Sequence, residues 1–359
     1  MFFFIPITLI FGCSIGDYFM QKYYKDNYKP VELQKCNMIE YPDKYTISGV
    51  PCISYENAYC ASAAMQMVLA QKNIKISIDS INWLMGFTYS FYYGGNINYV
   101  LPYSDPEMGY VNASFFSDIK RKYLVTSDSI IFVSNIKSQL SLNIPIRVAL
   151  NSATLYNKKG FNPHSILLIG YTKDSVCYYE TGGKNRYLLN HHGEKVDWNR
   201  FLQSVKNNSN SFRYPWLYNM MVFEIDGQGK SDKSKEIWIN IGNLLIGRTY
   251  GPTGTGAKGM KQLIEYITKN ELSVKNWDRL ISALRLGIYT RSDNSNFIKR
   301  NFKEDKFQRV SNLLNKSSEL YKDAIIAAER KDKNDFIKKL NEISEIENNA
   351  GELLIKTSP

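Results

Sequence analysis

The run from Cys60 to Ala70, Cys-Ala-Ser-Ala-Ala-Met-Gln-Met-Val-Leu-Ala, is apolar nearly all round. A helix with that pattern belongs at the centre of a fold, and the pattern predicts it over residues 59–72. A short second helix is expected within residues 74–84, capped by Asp79 and ending at Trp83. Residues 86–95, Gly-Phe-Thr-Tyr-Ser-Phe-Tyr-Tyr-Gly-Gly, are dense in aromatics and glycine. Such a segment either lines a binding groove or packs over a core, and Tyr89 and Tyr92 are its candidate binding residues.

Further along, residues 135–142 predict a helix and 144–150 a strand. Asn162-Pro163-His164 turns into a strand over 165–171, Lys173-Asp174 makes a tight hairpin turn, and a strand over 175–180 stops at Thr181-Gly182-Gly183. Another strand is expected over 216–225, and the polar, glycine- and serine-containing residues 227–235 read as a linker. After Lys235 the spacing becomes helical: Val310, Leu313, Leu314 and Leu320 begin a stripe that Phe336, Leu340, Ile343, Ala350 and Leu354 continue. The expected class is α+β, a helical half followed by an antiparallel sheet half, then a small all-α domain.

With 359 residues, 44% hydrophobic and 14% aromatic, the chain can bury a substantial core in two domains. The net charge is +11, but the lysines are spread among Asp and Glu without a dense cluster or an RNA-binding aromatic signature. The positive balance therefore reads as a solvated surface, and no nucleic-acid partner is expected.

Residues 1–14 form an apolar stretch shorter than the roughly 20 residues a membrane-spanning helix needs. The stretch resembles a signal-peptide core. Its end, Leu9-Ile10-Phe11-Gly12-Cys13, resembles a bacterial lipoprotein signal in which Cys13 is the lipidated residue, although Phe11 is bulky for its place and no Lys or Arg precedes the core. The polar, tyrosine-rich residues up to Lys29 suit a tether. The expected organisation is a signal and tether over 1–29, a thiol-enzyme domain over 30–228 and a helical domain over 229–359. The expected location is the cell envelope, lipid-anchored outside the cytoplasm through a membrane tether at Cys13; a cytoplasmic protein is the alternative. Five cysteines fit this scheme: Cys13 lipidated, Cys36 and Cys52 bridged in an oxidising compartment or reduced in the cytoplasm, Cys60 free, and Cys177 buried on a strand.

The candidate chemistry starts at Cys60. A thiol at a helix N-terminus lies against the positive end of the helix dipole, which favours thiolate, the nucleophilic form. About a hundred residues later His164 opens a strand, and Glu180 closes the next one. That order of Cys, His and carboxylate is the order in papain-like thiol enzymes. Glu180 would accept a proton from one imidazole nitrogen of His164, so that the other nitrogen faces Cys60.

These stretches resemble a known family. Within the papain-like cysteine peptidase superfamily the chain resembles the double-glycine leader peptidases of bacteriocin exporters, and more closely the N-terminal domain of the butirosin biosynthesis protein H family. The matching stretches are Tyr59-Cys60-Ala-Ser-Ala-Ala, the segment from Gly86 to Tyr93, Ile144-Pro-Ile-Arg-Val, the run from His164 to Tyr171, and Tyr179-Glu180. The resemblance extends into the helical C-terminal part through Gly256-Ala-Lys-Gly-Met and Glu345-Ile-Glu347. It implies a papain-like fold and a site that accepts an acyl group as a thioester and passes it to an amine or to water, with Cys60 as nucleophile, His164 as general acid and base, and Glu180 as orienting carboxylate. The implied partners are an acyl or peptide substrate, with an acyl-carrier protein for the transferase version. A surface-anchored cysteine peptidase or amidase and a non-catalytic papain-like binding module are the rival expectations.

Two positions depart from the leader-peptidase pattern. Ser54 stands near the place of the Gln that helps stabilise the oxyanion, and Tyr59 stands where an Asp precedes the cysteine. The oxyanion donors are therefore sought in the Cys60 backbone N–H and the Ser54 or Asn57 side chains. No cofactor and no metal are expected. Residues 251–258, Gly-Pro-Thr-Gly-Thr-Gly-Ala-Lys, miss the phosphate-loop spacing and read as a loop and helix start, and His191-His192 read as an exposed turn rather than metal ligands.

Overall fold

The computed structural model describes residues 21–35, 41–55, 59–182, 193–225, 233–251 and 253–357. The chain divides into two units, each discontinuous in sequence: Met1–Lys75 with Ile119–Ile225, and Ile76–Asp118 with Asp226–Pro359. Residues 76–118 group with the residues after 225, because they pack with the C-terminal helices.

The first unit holds helices α1 (residues 21–28), α2 (Cys60–Gln71), α3 (Ser129–Ser141), α4 (Ser152–Leu155) and α5 (Trp198–Phe212). Its strands are β1 (Val31–Glu32), β2 (Tyr45–Thr46), β3 (Ile119–Thr126), β4 (Ile146–Asn151), β5 (Pro163–Tyr171), β6 (Ser175–Glu180), β7 (Glu194–Asp197) and β8 (Tyr218–Ile225). Their order in the sheet is β1-β3-β8-β4-β5-β6-β7, with β2 also pairing β5. The β1/β3 pair is parallel and the others are antiparallel. Every residue of β4 is buried, as is β5 beyond His164, which explains their almost uninterrupted apolar sequences. Helix α2 lies against β5, with Ala61, Ala63, Ala64, Met65, Met67, Val68 and Leu69 all buried.

Several boundaries move from their expected places. Tyr24 and Tyr28 of α1 are buried, and the Tyr28 ring stands 5.5 Å from that of Tyr123 and the Tyr24 ring 4.6 Å from that of Tyr214. Tyr24 and Tyr28, expected in a tether, are therefore packed into the first unit. Helix α3 starts at Ser129 because the Asp128 carboxylate accepts the N–H groups of Ile130 and Ile131, a cap ahead of a β-branched run that hides the helix. Strand β3 was not expected, since Lys120, Arg121 and Lys122 break its apolar pattern, and neither was α5, whose Asn and Ser residues are poor helix formers.

The second unit carries helices Ile78–Met85, Pro106–Phe116, Ser234–Ile246, Gly256–Lys269, Val274–Asn301, Asp305–Glu329 and Lys333–Thr357. Beside them is a small sheet in the order Thr249–Tyr250, Thr253–Thr255, Tyr92–Tyr93, Val100–Leu101. The cap of helix Ile78–Met85 is Ser77, whose hydroxyl accepts the Ser80 N–H at 3.2 Å; the expected cap, Asp79, sits inside the first turn. Helices Ser234–Ile246 and Lys333–Thr357 pack so closely at Gly242 and Gly351 that a Cβ on either would stand 2.6–2.7 Å from the other's carbonyl oxygen.

A buried ion pair organises this unit. Arg291 Nε donates to Glu347 Oε1 at 2.6 Å and an Arg291 terminal nitrogen to Oε2 at 3.0 Å, with both side chains fully buried. The guanidinium also donates to the carbonyls of Thr88 at 2.6 Å, Ser90 at 2.8 Å and Pro102 at 3.3 Å, while the Ser317 hydroxyl donates to Glu347 at 2.8 Å. The fork thus ties the aromatic segment after Gly86 to the long helices. Removing one member of such a pair leaves a buried uncompensated charge, so Glu347→Gln should lower unfolding stability by about 3–5 kcal/mol. Urea titration followed by helical circular dichroism checks this, and an unchanged midpoint would contradict it.

Candidate active site

Strand register assembles the site. Ile166 pairs with Glu180 across β5 and β6, and Tyr178 pairs with Glu194 across β6 and β7. Because side chains alternate along a strand, His164, Ile166, Tyr178, Glu180 and Glu194 share one face of the sheet. The expected turn at His164 is already strand, since β5 begins at Pro163 and pairs with Asn151 and Leu150 of β4. At the first position of α2, Cys60 is partly accessible and hydrogen-bonded to His164.

The imidazole is held from both sides. His164 Nε2 forms a hydrogen-bonded ion pair with Glu180 Oε1, which leaves Nδ1 for Cys60. Glu180 is 5% exposed and keeps its charge through three donors: His164 and the Gly182 N–H at 2.9 Å on Oε1, and the Tyr156 hydroxyl on Oε2. Gly182 also leaves room for the ring, because a Cβ there would stand 3.1 Å from His164 Cε1. The segment before α2 reaches the same place, with the Tyr55 N–H donating to the Thr181 carbonyl at 3.1 Å.

The electrostatics follow from these contacts. Burial alone pushes the Cys60 thiol up, but the His164 hydrogen bond and charge, the Ser165 N–H and the charge of Arg147 together bring it below its ordinary value of 9.0. Burial works against the His164 cation, and the hydrogen bonds to Cys60 and Glu180 with their charges raise it from 6.5 to about 10. Burial raises Glu180, whereas His164, Tyr156 and Gly182 bring it below 4.5. A helix N-terminus contributes only about 0.3–1 kcal/mol, less than one pKa unit. The imidazolium, rather than the helix dipole, is therefore the main group that favours the Cys60 thiolate.

Of the expected site residues, the structure brings Cys60, His164 and Glu180 together. Tyr59 is buried at the position before α2, and Ser54 is partly buried in the extended segment that leads to it. Asn57, Cys13, Cys36, His191 and His192 lie outside the described residues. Cys52 is a free thiol and Cys177 a buried one. Tyr89 is a core residue of the second unit, 1% exposed with its ring 5.7 Å from that of Trp83, and Tyr92 is partly buried on a short strand there. Two contributors were not expected as site residues. Arg147, 2% exposed, donates to the Ser165 hydroxyl through Nε at 3.0 Å and a terminal nitrogen at 2.7 Å. Its signal was a charge inside an apolar strand. Tyr156 carried no such signal, because its neighbours in space are far away in sequence.

Cys60, His164 and Glu180 form the thiol–imidazole–carboxylate arrangement that their order in the chain led one to expect. Residues 47–206, which include Cys60, His164 and Glu180, match the model of the Peptidase_C39 like family. No curated protein matches the chain. Among solved structures, the chain is similar to a protein of Bacillus anthracis described as a C39-like peptidase, with 15% identity and a TM-score of 0.36 over 53% of this chain and 100% of that one.

The ionisation order gives a direct test. Neutral iodoacetamide should alkylate Cys60 with an apparent pKa below 9.0, and the rate should change again near pH 10 as His164 loses its proton. Intact-protein mass against pH follows both limbs, and His164→Ala should abolish the acid-shifted one. The linkage to stability has two signs. The raised pKa of His164 stabilises the fold fully below 6.5, a contribution lost as pH rises through about 10. The lowered pKa of Glu180 stabilises it above 4.5, a contribution lost as pH falls through the folded value.

Proposed function

We propose that this chain is a cysteine peptidase or amidase that forms a thioester at Cys60 and hydrolyses it. The single observation that carries the reading is the hydrogen-bonded series Cys60–His164–Glu180, with the thiol lowered and the imidazole raised. The Cys60 thiolate attacks the substrate carbonyl carbon, and the oxyanion forms beside the backbone N–H of Cys60 at the start of α2. His164 passes its Nδ1 proton to the leaving amine as the C–N bond breaks. Water then attacks the thioester, gives its proton to His164, and releases the acid and the thiolate. Glu180 stays ionised and keeps the imidazole in place throughout.

The match to a C39-like peptidase family supports peptide as the acyl donor. The lipoprotein-like end at Cys13 supports the same choice, since carrier-bound acyl groups belong to the cytoplasm. Transfer to an amine is the second reading, favoured by the likeness to the butirosin biosynthesis protein H family in the run from His164 to Tyr171 and in Glu345-Ile-Glu347. A peptide library incubated with the protein, with and without added amine, separates the two by product mass. Cys60→Ala should abolish turnover while leaving the circular dichroism spectrum unchanged, and equal turnover in that variant would refute the proposal. Hydrolysis products that persist in excess amine support the peptidase, and amine adducts the transferase.

A further inference from the structure

Glu180 has a second oxygen, and the structure shows what holds it. Tyr156 lies at the C-terminal end of α4, in the connection from β4 to β5. That connection is tied down at several points. The Asn151 side-chain oxygen accepts the N–H groups of Ala153 at 3.1 Å and Asn162 at 2.9 Å, and the Asn162 amide donates to the Ser152 hydroxyl at 2.7 Å. Helix α5 adds two more ties: the Ser204 hydroxyl donates to the Asn151 carbonyl at 3.1 Å, and the Asn207 amide to the Thr154 hydroxyl at 2.9 Å. The Tyr156 ring is thus presented from a fixed backbone.

Its hydroxyl donates to Glu180 Oε2 and sits 3.4 Å from both the Tyr178 hydroxyl and Glu194 Oε2. Tyr178 in turn donates to Glu194 Oε2 at 2.9 Å. Each phenol has one proton, so the shortest contacts assign Tyr156 to Glu180 and Tyr178 to Glu194. Among the described residues, the charged and titratable groups around this cluster include Cys60, His164, Glu180, Glu194, both tyrosines and the Cys52 thiol, which lies within the field of the two carboxylates.

We infer that Tyr156 is a positioning residue for acyl transfer at Cys60: its hydroxyl fixes the rotation of the Glu180 carboxylate, so that Oε1 stays on His164 Nε2. The inference rests on the reading of Cys60, His164 and Glu180 given above. Without the hydroxyl, Oε1 keeps the Gly182 N–H and the imidazole but Oε2 loses the hydrogen bond that sets the carboxylate plane. The imidazolium is then held less firmly.

The test is iodoacetamide alkylation of Cys60 against pH in wild type, Tyr156→Phe, Glu180→Gln and the double variant, each with a thermal melt. Tyr156→Phe should lower the neutral-pH rate about tenfold, the scale of a lost hydrogen bond to a charged group, and should move the alkaline limb below pH 10. Its effect should vanish in the Glu180→Gln background, because a residue acting through Glu180 has nothing to act on there. By proton NMR, the downfield His164 Nε2 proton should broaden in Tyr156→Phe. A merely structural role would lower the melting temperature and leave the limb and the resonance in place, which would overturn the inference. So would an equal effect in both backgrounds. Should Tyr156→Phe not fold, the wild type decides: a Tyr156 hydroxyl proton in slow exchange supports the inference, and a freely exchanging one overturns it. If wild-type Cys60 titrates as an ordinary thiol, the enzyme reading falls and takes this inference with it; if wild type is acid-shifted and Tyr156→Phe superimposes on it, only the inference falls.

Discussion

A carboxylate withdrawn from water stays ionised only where donors replace the water it has lost. Glu180 meets this condition with an imidazole, a backbone amide and a phenol, and the chemistry assembled around it depends on its charge. The anion holds His164 as a cation, and the cation allows Cys60 to be a thiolate despite burial. Arg147 adds a further positive charge felt by the sulfur, from a strand that is otherwise apolar as far as Leu150. Negative and positive groups thus alternate, and none of them is explained without its neighbour.

Sheet register is the second constraint. Glu180 is opposite Ile166, and His164 is two residues from Ile166 on the same face. A slip of one residue between β5 and β6 would turn the carboxylate to the other face and away from the imidazole. The residues of β5 and β6 are buried on both faces, so such a slip would also force side chains of different size into positions already packed. Packing of ordinary aliphatic residues therefore fixes the angle at which the reactive groups meet.

Cys60, His164 and Glu180, which the fold brings together, stand out in the chain because each follows a local pattern. Cys60 heads an apolar helix, His164 opens an apolar strand, and Glu180 ends the hairpin that follows. The strand over 175–180 appears where its alternation and the Lys173-Asp174 turn place it. What the sequence concealed depends on contacts between distant residues. Tyr156 meets Glu180 across 24 positions, and nothing around Tyr156 signals that meeting. Strand β3 is stabilised by eight pairings with β8 despite its charges, and tertiary pairing there outweighs local pattern. The aromatic segment after Gly86 was ambiguous between groove and core; Arg291, some 200 residues later, takes its carbonyls into a buried fork.

That last arrangement bears on synthesis. A chain made at about 5–20 residues per second delivers its N-terminal parts first. Residues 76–118 emerge before most of the sheet unit that surrounds them in sequence, yet the helix bearing Arg291 and the helix bearing Glu347 come only after that unit has been made in full. For that interval Tyr89, Phe91 and Tyr93 lack the late helices that cover them. The nascent chain folds the sheet unit while a segment lying between its two parts in sequence still waits for its own core, so a ribosome-bound or C-terminally shortened product would display a sticky aromatic loop, the kind of surface that chaperones bind.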